Sequence, residues 1–319
     1  MNARTLLTTT TFAALMTAAL PAKAADPQLL NLVMPDAKVL AGVNVDQAKT
    51  SPFGQYVLGL MQSSQNQDLQ QLAAKTGFDP TRDVHEVLVA TTGQPKSHTG
   101  LLVARGTFDT VKITTAATQN GAKTTTYGGV TLLTDPKGEN ALAFLSSTIA
   151  AAGDLASVEG AIDRLTTPAP LPAALTVQVN QWSGSQDAWA VSLIPTASLN
   201  VPKGAPGLPG VGTQGNNAFQ SIQQAAGGVK FGANVVVTGQ AQADTAQDAQ
   251  QMGDALKLLA SLAQMQSQNN AGLKTLLASL TIAPQGNLLN VSFTVPEDQI
   301  QEIVKPHART ARHLERKMQ

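Results

Sequence analysis

The chain has 319 residues, no cysteine, and 21 basic side chains balanced by 21 acidic ones. Charged residues make up 13% of it and aromatics 4%, which excludes a basic nucleic-acid face and a disulfide framework. The length allows one large domain or two of ordinary size, each with a real core.

Residues 1–24 read as an export address. Arg4 gives the positive start, Leu6 to Leu20 carries no charge, and Ala22-Lys23-Ala24 is the small-x-small pattern of a signal-peptidase site. Thr5 and Thr8 to Thr11 make the apolar run too short and too polar to span a bilayer. The sequence therefore predicts cleavage after Ala24, a periplasmic or secreted mature chain, and no transmembrane segment in it. Without Arg4 and Lys23 the chain keeps 19 basic and 21 acidic residues. Residues 305–319 hold Lys305, Arg309, Arg312, Arg316 and Lys317 against Glu315, so a basic tail follows an acidic body.

A strand is predicted from Val39 to Val45. Ser51-Pro52 then opens a helix whose inner stripe is Phe53, Tyr56, Val57, Leu60 and Met61. A second run, Leu69 to Ala73, stops at Gly77. Val84–Thr92 and Gly100–Thr107 pair as a hairpin, Asp109 caps a helix to Gln119, and short strands occupy 124–133, 141–145 and 149–152. Asp154 caps a helix to Leu165. Residues 166–172, with three prolines, form a stiff linker into a helix ending at Trp182. The second half reads as a strand at 188–194, a Gly/Pro loop at 195–215, a helix at 217–225 and a hairpin at 229–243. A long helix follows, opened by Asp244 with Gln247 as a capping box, and Met252, Leu256, Leu259 and Ala263 share one of its faces. Met252 and Met265 are assigned to the core, with Trp182 and Trp189. A helix at 273–280, strands at 281–283 and 288–295, and a helix at 297–304 complete the chain.

This order predicts an α+β fold of two ferredoxin-like (split βαβ) halves with antiparallel sheets and helices packed on them. The first half spans 25–167, a linker and connecting helix 168–184, the second half 185–304, and a basic disordered tail 305–319. The segment from Leu101 to Thr110 lines up with Val236 to Thr245, each an apolar strand running into Asp-Thr, so the halves read as an internal repeat.

The stretches 35–43 (PDAKVLAGV), 77–84 (GFDPTRDV) and 150–154 (AAAGD) resemble a group of uncharacterised exported proteins of soil bacteria, notably acidobacteria. The resemblance spans most of the mature chain and implies export and an α+β build. It brings no activity and no catalytic residue.

Gly210-Val211-Gly212-Thr213-Gln214-Gly215 fits GxGxxG, but Pro202, Pro206 and Pro209 precede it where a dinucleotide site needs a strand, so it reads as a loop and implies no cofactor. The densest chemistry is Arg82-Asp83-Val84-His85-Glu86. In a strand starting near Asp83, Asp83 and His85 share a face and are the candidate catalytic pair, but the Asp79-Pro80 turn and Arg82, a ready partner for Asp79 or Asp83, favour a structural turn and ion pair. His98, the other histidine of the body, lies at the far end of the hairpin, so no metal set closes. Arg82, Lys203, Arg309 and Arg312 are the candidate binding residues, and the tail is a candidate contact for an anionic surface.

No nucleophile elbow, thiol or metal set joins Asp83 and His85. The sequence therefore reads as an exported non-catalytic interaction or ligand-binding protein. Its partner is an unidentified envelope protein or small ligand. The alternative is a carrier of a small apolar ligand in the cleft between halves; a hydrolase-type enzyme stands third.

Overall fold

The computed structural model describes residues 24–63, 73–93, 99–198, 219–267, 271–297 and 299. Its strands are β1 (Val39–Asn44), β2 (Val84–Thr91), β3 (Gly100–Gly106), β4 (Lys123–Tyr127), β5 (Val130–Thr134), β6 (Asn140–Phe144), β7 (Ile149–Asp154), β8 (Ala188–Ser192), β9 (Ile222–Lys230), β10 (Asn234–Ala243), β11 (Thr281–Gln285) and β12 (Leu288–Pro296). The helices are α1 (Pro27–Leu30), α2 (Val45–Thr50), α3 (Pro52–Ser63), α4 (Pro80–Asp83), α5 (Thr110–Gln119), α6 (Leu155–Thr166), α7 (Ala173–Ser183), α8 (Ala246–Gln266) and α9 (Ala271–Ser279).

All twelve strands join one sheet in the order β11-β12-β10-β9-β8-β1-β2-β3-β7-β6-β5-β4, and every pairing is antiparallel. The chain is thus α+β with one large antiparallel sheet, and its halves meet where β1 pairs with β8. The strand order differs from the expected split βαβ plait, in which a crossover returns a strand parallel to the first. Here β2 lies beside β1 and β3 beside β2. The reason is local: α2 to α4 bring the chain back to the end of the sheet it left. Lys49 in α2 fixes that return, its Nζ donating to the carbonyls of Arg82 (3.1 Å) and Val84 (2.9 Å).

Period-2 alternation assigns each strand two faces. On the first face, Leu40, Leu88, Leu101, Val103, Leu132, Trp189 and Val191 pack under α6 (Val158, Ala161, Ile162) and α7 (Leu175, Val179, Trp182), together with α1 and the following turn. The second face carries three smaller clusters. Val84, Ala104 and Ala150 pack with Phe108 and Ile113 of α5. Val235 and Val295 pack with Phe53 of α3 and Leu276 of α9, and Ala243 and Leu289 with Met252 of α8.

The caps at Asp109 and Asp154 are as read: each carboxylate accepts a backbone N–H three residues on, from Lys112 and from Ser157. Four local readings change. Val45 does not continue β1; Asn44 Oδ1 accepts from Gln47 N at 2.9 Å and starts α2 there. Residues 222–225, expected to be helical, lie in β9, because β8 and β10 both need a partner between them. The long helix is capped by Thr245, whose Oγ1 accepts from Asp248 N, one residue later than the expected Asp244–Gln247 box. Met265 is 72% exposed and leaves the core, while Met252 is fully buried.

Candidate functional site

The Arg82–His85 cluster forms the expected turn and ion pair but not the shared face of Asp83 and His85. Asp83 ends α4, so the strand begins at Val84 and Asp83 shares no strand face with His85. Its carboxylate accepts from Arg82 Nε (2.6 Å) and Nη2 (2.7 Å) and from the Asp79 N–H (2.8 Å). The Arg82 guanidinium holds the Asp83 carboxyl below the ordinary aspartate range, and Asp83 raises Arg82 in return. Both oxygens are spent inside one turn.

His85 instead meets Asp46, its Nδ1 lying 2.9 and 3.0 Å from the two carboxylate oxygens. Burial alone raises the Asp46 carboxyl, but hydrogen bonds and charge from His85 and Lys49 outweigh it and bring it below the ordinary range. Lys49 Nζ is 3.2 Å from Asp46 and turned to two carbonyls, so its donors point into the protein. Beside it lies an open groove bounded by Lys49, Gln55, Leu58, Gly59 and Thr81. A carboxylate holding an imidazole is half of a general-base arrangement. The pair is exposed, His85 at 41% and Asp46 at 58%. Among the described residues no group of three His, Cys, Asp or Glu is placed to hold a metal. Sequence spacing hides Asp46, which lies 39 residues from His85; its first-turn place in a helix directly after β1 was the available signal.

The larger feature lies on the second face, where β1 meets β8. The register aligns Leu142, Ala152, Leu102, Val89, Ala41, Ala190, Gly227, Gly239 and Val291 in one row across nine neighbouring strands. Not one is polar. At about 4.8 Å per strand the row runs for roughly 38 Å. α5 covers sheet residues towards one end and α8 those at the other, but the middle is open: Val89 is 45% exposed, Leu102 38% and Val43, beside the row, 37%. The middles of β1, β2 and β3 (39–43, 87–90 and 101–104) are apolar on both faces, the composition of strands covered on both sides. That double-sided pattern is the signal a reading centred on charged residues passes over.

Opposite, on the first face, a shallow dip of about 10 Å³, room for about one water, lies beside α7 and is lined by Gln178, Val191, Gln224, Ala225, Ala226, Gln240 and Gln242. Gln224 Nε2 donates to Gln242 Oε1, and Gln240 Nε2 donates to Asn290 Oδ1 at 2.8 Å. In the first half α1 closes over Glu86 and Arg105 on β2 and β3. There Arg105 Nε donates to Asp26 at 2.6 Å, and Glu86 accepts from the Asp26 N–H.

Lys203, Arg309 and Arg312, the Gly210–Gly215 motif, the leader through Lys23, and the tail 305–319 lie outside the described residues. No described helix is long and apolar enough to cross a membrane.

Neither a protein-family model nor a curated protein matches the chain. Among solved structures, crystal form III of TP0453 is similar with a TM-score of 0.55 at 12% identity, covering 88% of this chain and 98% of that one. Crystal form I of TP0453 gives 0.51 at 12% identity, covering 88% and 97%. A likeness at that identity over nearly both chains is a likeness of fold.

Proposed function

We propose that the protein is an exported, non-catalytic binding protein whose binding surface is the open apolar row across β3, β2, β1 and β8. The observation that carries this reading is the exposure of Val89, Leu102 and Val43 together at the centre of the sheet. A contiguous exposed apolar surface marks a place that another apolar surface covers. Single exposed aliphatic residues need no such reading, but Val89 and Leu102 are directly paired and Ala41 continues them. Of the two occupants suggested by the sequence, a small apolar ligand fits better than an envelope protein. The row passes through glycine and alanine (Ala41, Ala190, Gly227, Gly239) where it crosses into the second half, and lies on the seam between halves. The Asp46–His85 pair is a surface ion pair in this reading. Export rests on Arg4, the uncharged run and Ala22-Lys23-Ala24.

The two halves are also proposed to be copies of one unit. The ferredoxin-like form of that idea gives way to an all-antiparallel order, in which β1-β2-β3-β7-β6 is matched by β8-β9-β10-β12-β11. In each half an Asp-Thr pair leads from the third strand into a helix.

Native mass spectrometry of protein purified from its exporting host tests the binding reading. The expected result is a small apolar adduct, released on denaturation and absent from a folded Val89→Glu variant. A wild-type protein that is bare and takes up no apolar compound on incubation would overturn it.

A further inference from the structure

The bond that the small-x-small pattern marks for cleavage is also the point at which the chain enters the protein body. Ala24 is exposed, whereas Ala25 is 6% exposed and belongs to the first-face core together with Leu29, Leu32, Val33 and Met34. The buried apolar stretch of α1 and its turn thus starts at the residue that a cut after Ala24 leaves first.

Just past that bond lies a set of charges. The Asp26 N–H donates to Glu86 Oε1 at 3.0 Å, and Arg105 Nε donates to Asp26 Oδ2 at 2.6 Å. Glu86 and Arg105 are register partners on β2 and β3. The other titratable side chain of those two strands, His85, is held at Asp46. Asp26 and Glu86 bring two negative charges and Arg105 one positive, so the set is one positive charge short. The Asp26 and Arg105 side chains are only 21% and 24% exposed, so salt screens this set less than a fully exposed one.

Hydrolysis of the Ala24–Ala25 amide supplies the missing charge. Water adds hydroxyl to the Ala24 carbonyl carbon and a proton to the Ala25 nitrogen as the C–N bond breaks. The new acid then passes its proton to the amine, leaving a carboxylate on Ala24 and an ammonium on Ala25. An α-amine ordinarily titrates at about 7.7–8.0, so the ammonium prevails at neutral pH. Successive backbone nitrogens lie at most about 3.7 Å apart, which puts the Ala25 nitrogen within about 7 Å of Glu86 Oε1. Rotation about the Cα–C bond of a free chain end brings it closer.

We propose that cleavage after Ala24 is also a folding step: the new Ala25 α-ammonium pairs with the Glu86 carboxylate and locks α1 and the turn behind it onto the sheet. The inference rests on the export reading for the position of the cut. In the uncut chain the same nitrogen is a neutral amide, and the lock is missing.

N-terminal sequencing of protein purified from its exporting host reads the cut. Thermal unfolding reads the lock, in the mature chain beginning at Ala25 and in the same chain N-acetylated, whose amide stands in for the uncut bond. A cation beside a helix start is ordinarily unfavourable, so stabilisation by the free amine needs the carboxylate. At pH 6.5 the free chain should unfold about 2–4 °C above the acetylated one. Pairing raises the folded pKa of the amine, so this advantage is complete below about pH 7 and is lost as pH rises through the folded value. Glu86→Gln keeps an acceptor for the Asp26 N–H but no charge. In that variant the free and acetylated chains should unfold together, and an NMR titration of the Ala25 amine should return to its ordinary value. Equal midpoints in wild type, or a gap indifferent to Glu86→Gln and to pH, would overturn the lock and leave export standing. A first residue other than Ala25 would overturn the cut and the lock with it.

Discussion

Gly42 faces Trp189 across the junction of β1 and β8, and the indole occupies the space a side chain on Gly42 would need. A Cβ at Gly42 would lie 2.6 Å from Trp189 Cε2 and 2.8 Å from Leu88 Cδ2. The two residues are register partners, Trp189 is 6% exposed, and the contact lies on the strand pair that joins the halves among the described residues. Gly42→Ala should therefore overpack the seam and cost about 1–3 kcal/mol. Trp189→Ala should leave a cavity costing about 3–5 kcal/mol. The pair should couple: in Trp189→Phe, the added methyl of Gly42→Ala should cost less than in wild type. Denaturant unfolding of the four proteins checks this, and additive effects would show that the seam has slack.

Asp187 is the buried carboxylate of that seam, with its side chain only 2% exposed. It accepts from the Phe231 N–H at 2.7 Å and from Lys230 Nζ at 3.2 Å, while its backbone carbonyl accepts from Asn44 N. Asp187→Ala would leave the Phe231 N–H without its acceptor and should lower stability by about 1.5–3 kcal/mol. Lys230→Met should cost much less, because Lys230 is 38% exposed and is rehydrated when released. Equal losses would show that the ion pair, not the N–H bond, is the stabilising contact.

Asp154 links acid stability to one helix cap. Burial alone raises its carboxyl, but bonds from Ser157 and from the Gly100 N–H at 2.8 Å outweigh burial and bring it below the ordinary aspartate value. A depressed folded pKa contributes stability above the unfolded value and loses it as pH falls through the folded one. Asp154→Asn keeps an acceptor oxygen but has no charge to titrate. Stability against pH below about 4 should then fall less steeply in Asp154→Asn than in wild type. Asp154→Ala should cost about 1 kcal/mol at pH 7. Parallel acid profiles would remove Asp154 from the account.

Much of the local structure was legible because its causes are local. Asp109 and Asp154 announce their helices, Gly77 at φ +72° ends a helical turn, and the hairpin of β2 and β3 follows from alternation. What failed is non-local. Gln224 and Ala225 have no strand preference, and only the open edges of β8 and β10 make them a strand. The strand order depends on which end of the sheet α2–α4 return to, which no residue spacing encodes. Met265 lies about 140° round α8 from Met252, off the Met252–Leu256–Leu259–Ala263 stripe, so helical phase itself turns it to solvent. At the candidate site, the densest charged cluster drew attention to Asp83 and His85, and pairing across 39 residues gave His85 to Asp46 instead.

His85 and Asp46 supply a test of the enzymatic alternative. As an exposed ion pair they should couple by under about 1 kcal/mol in a double-mutant cycle of His85→Ala and Asp46→Ala. Stoichiometric metal lost on His85→Ala would instead make this pair part of a site.

The account stands most directly on one titration: a neutral, fluorescent apolar probe, N-phenyl-1-naphthylamine, added to the folded mature protein. Wild type should bind it saturably at one site. Val89→Glu and Leu102→Glu, which place a charge in the open row, should each weaken binding by at least about tenfold. Gln240→Glu, the same charge on the opposite face of the sheet, should leave it unchanged. Probe binding that is non-saturable, or that survives both Val89→Glu and Leu102→Glu, would contradict the claim that the apolar row is a binding surface.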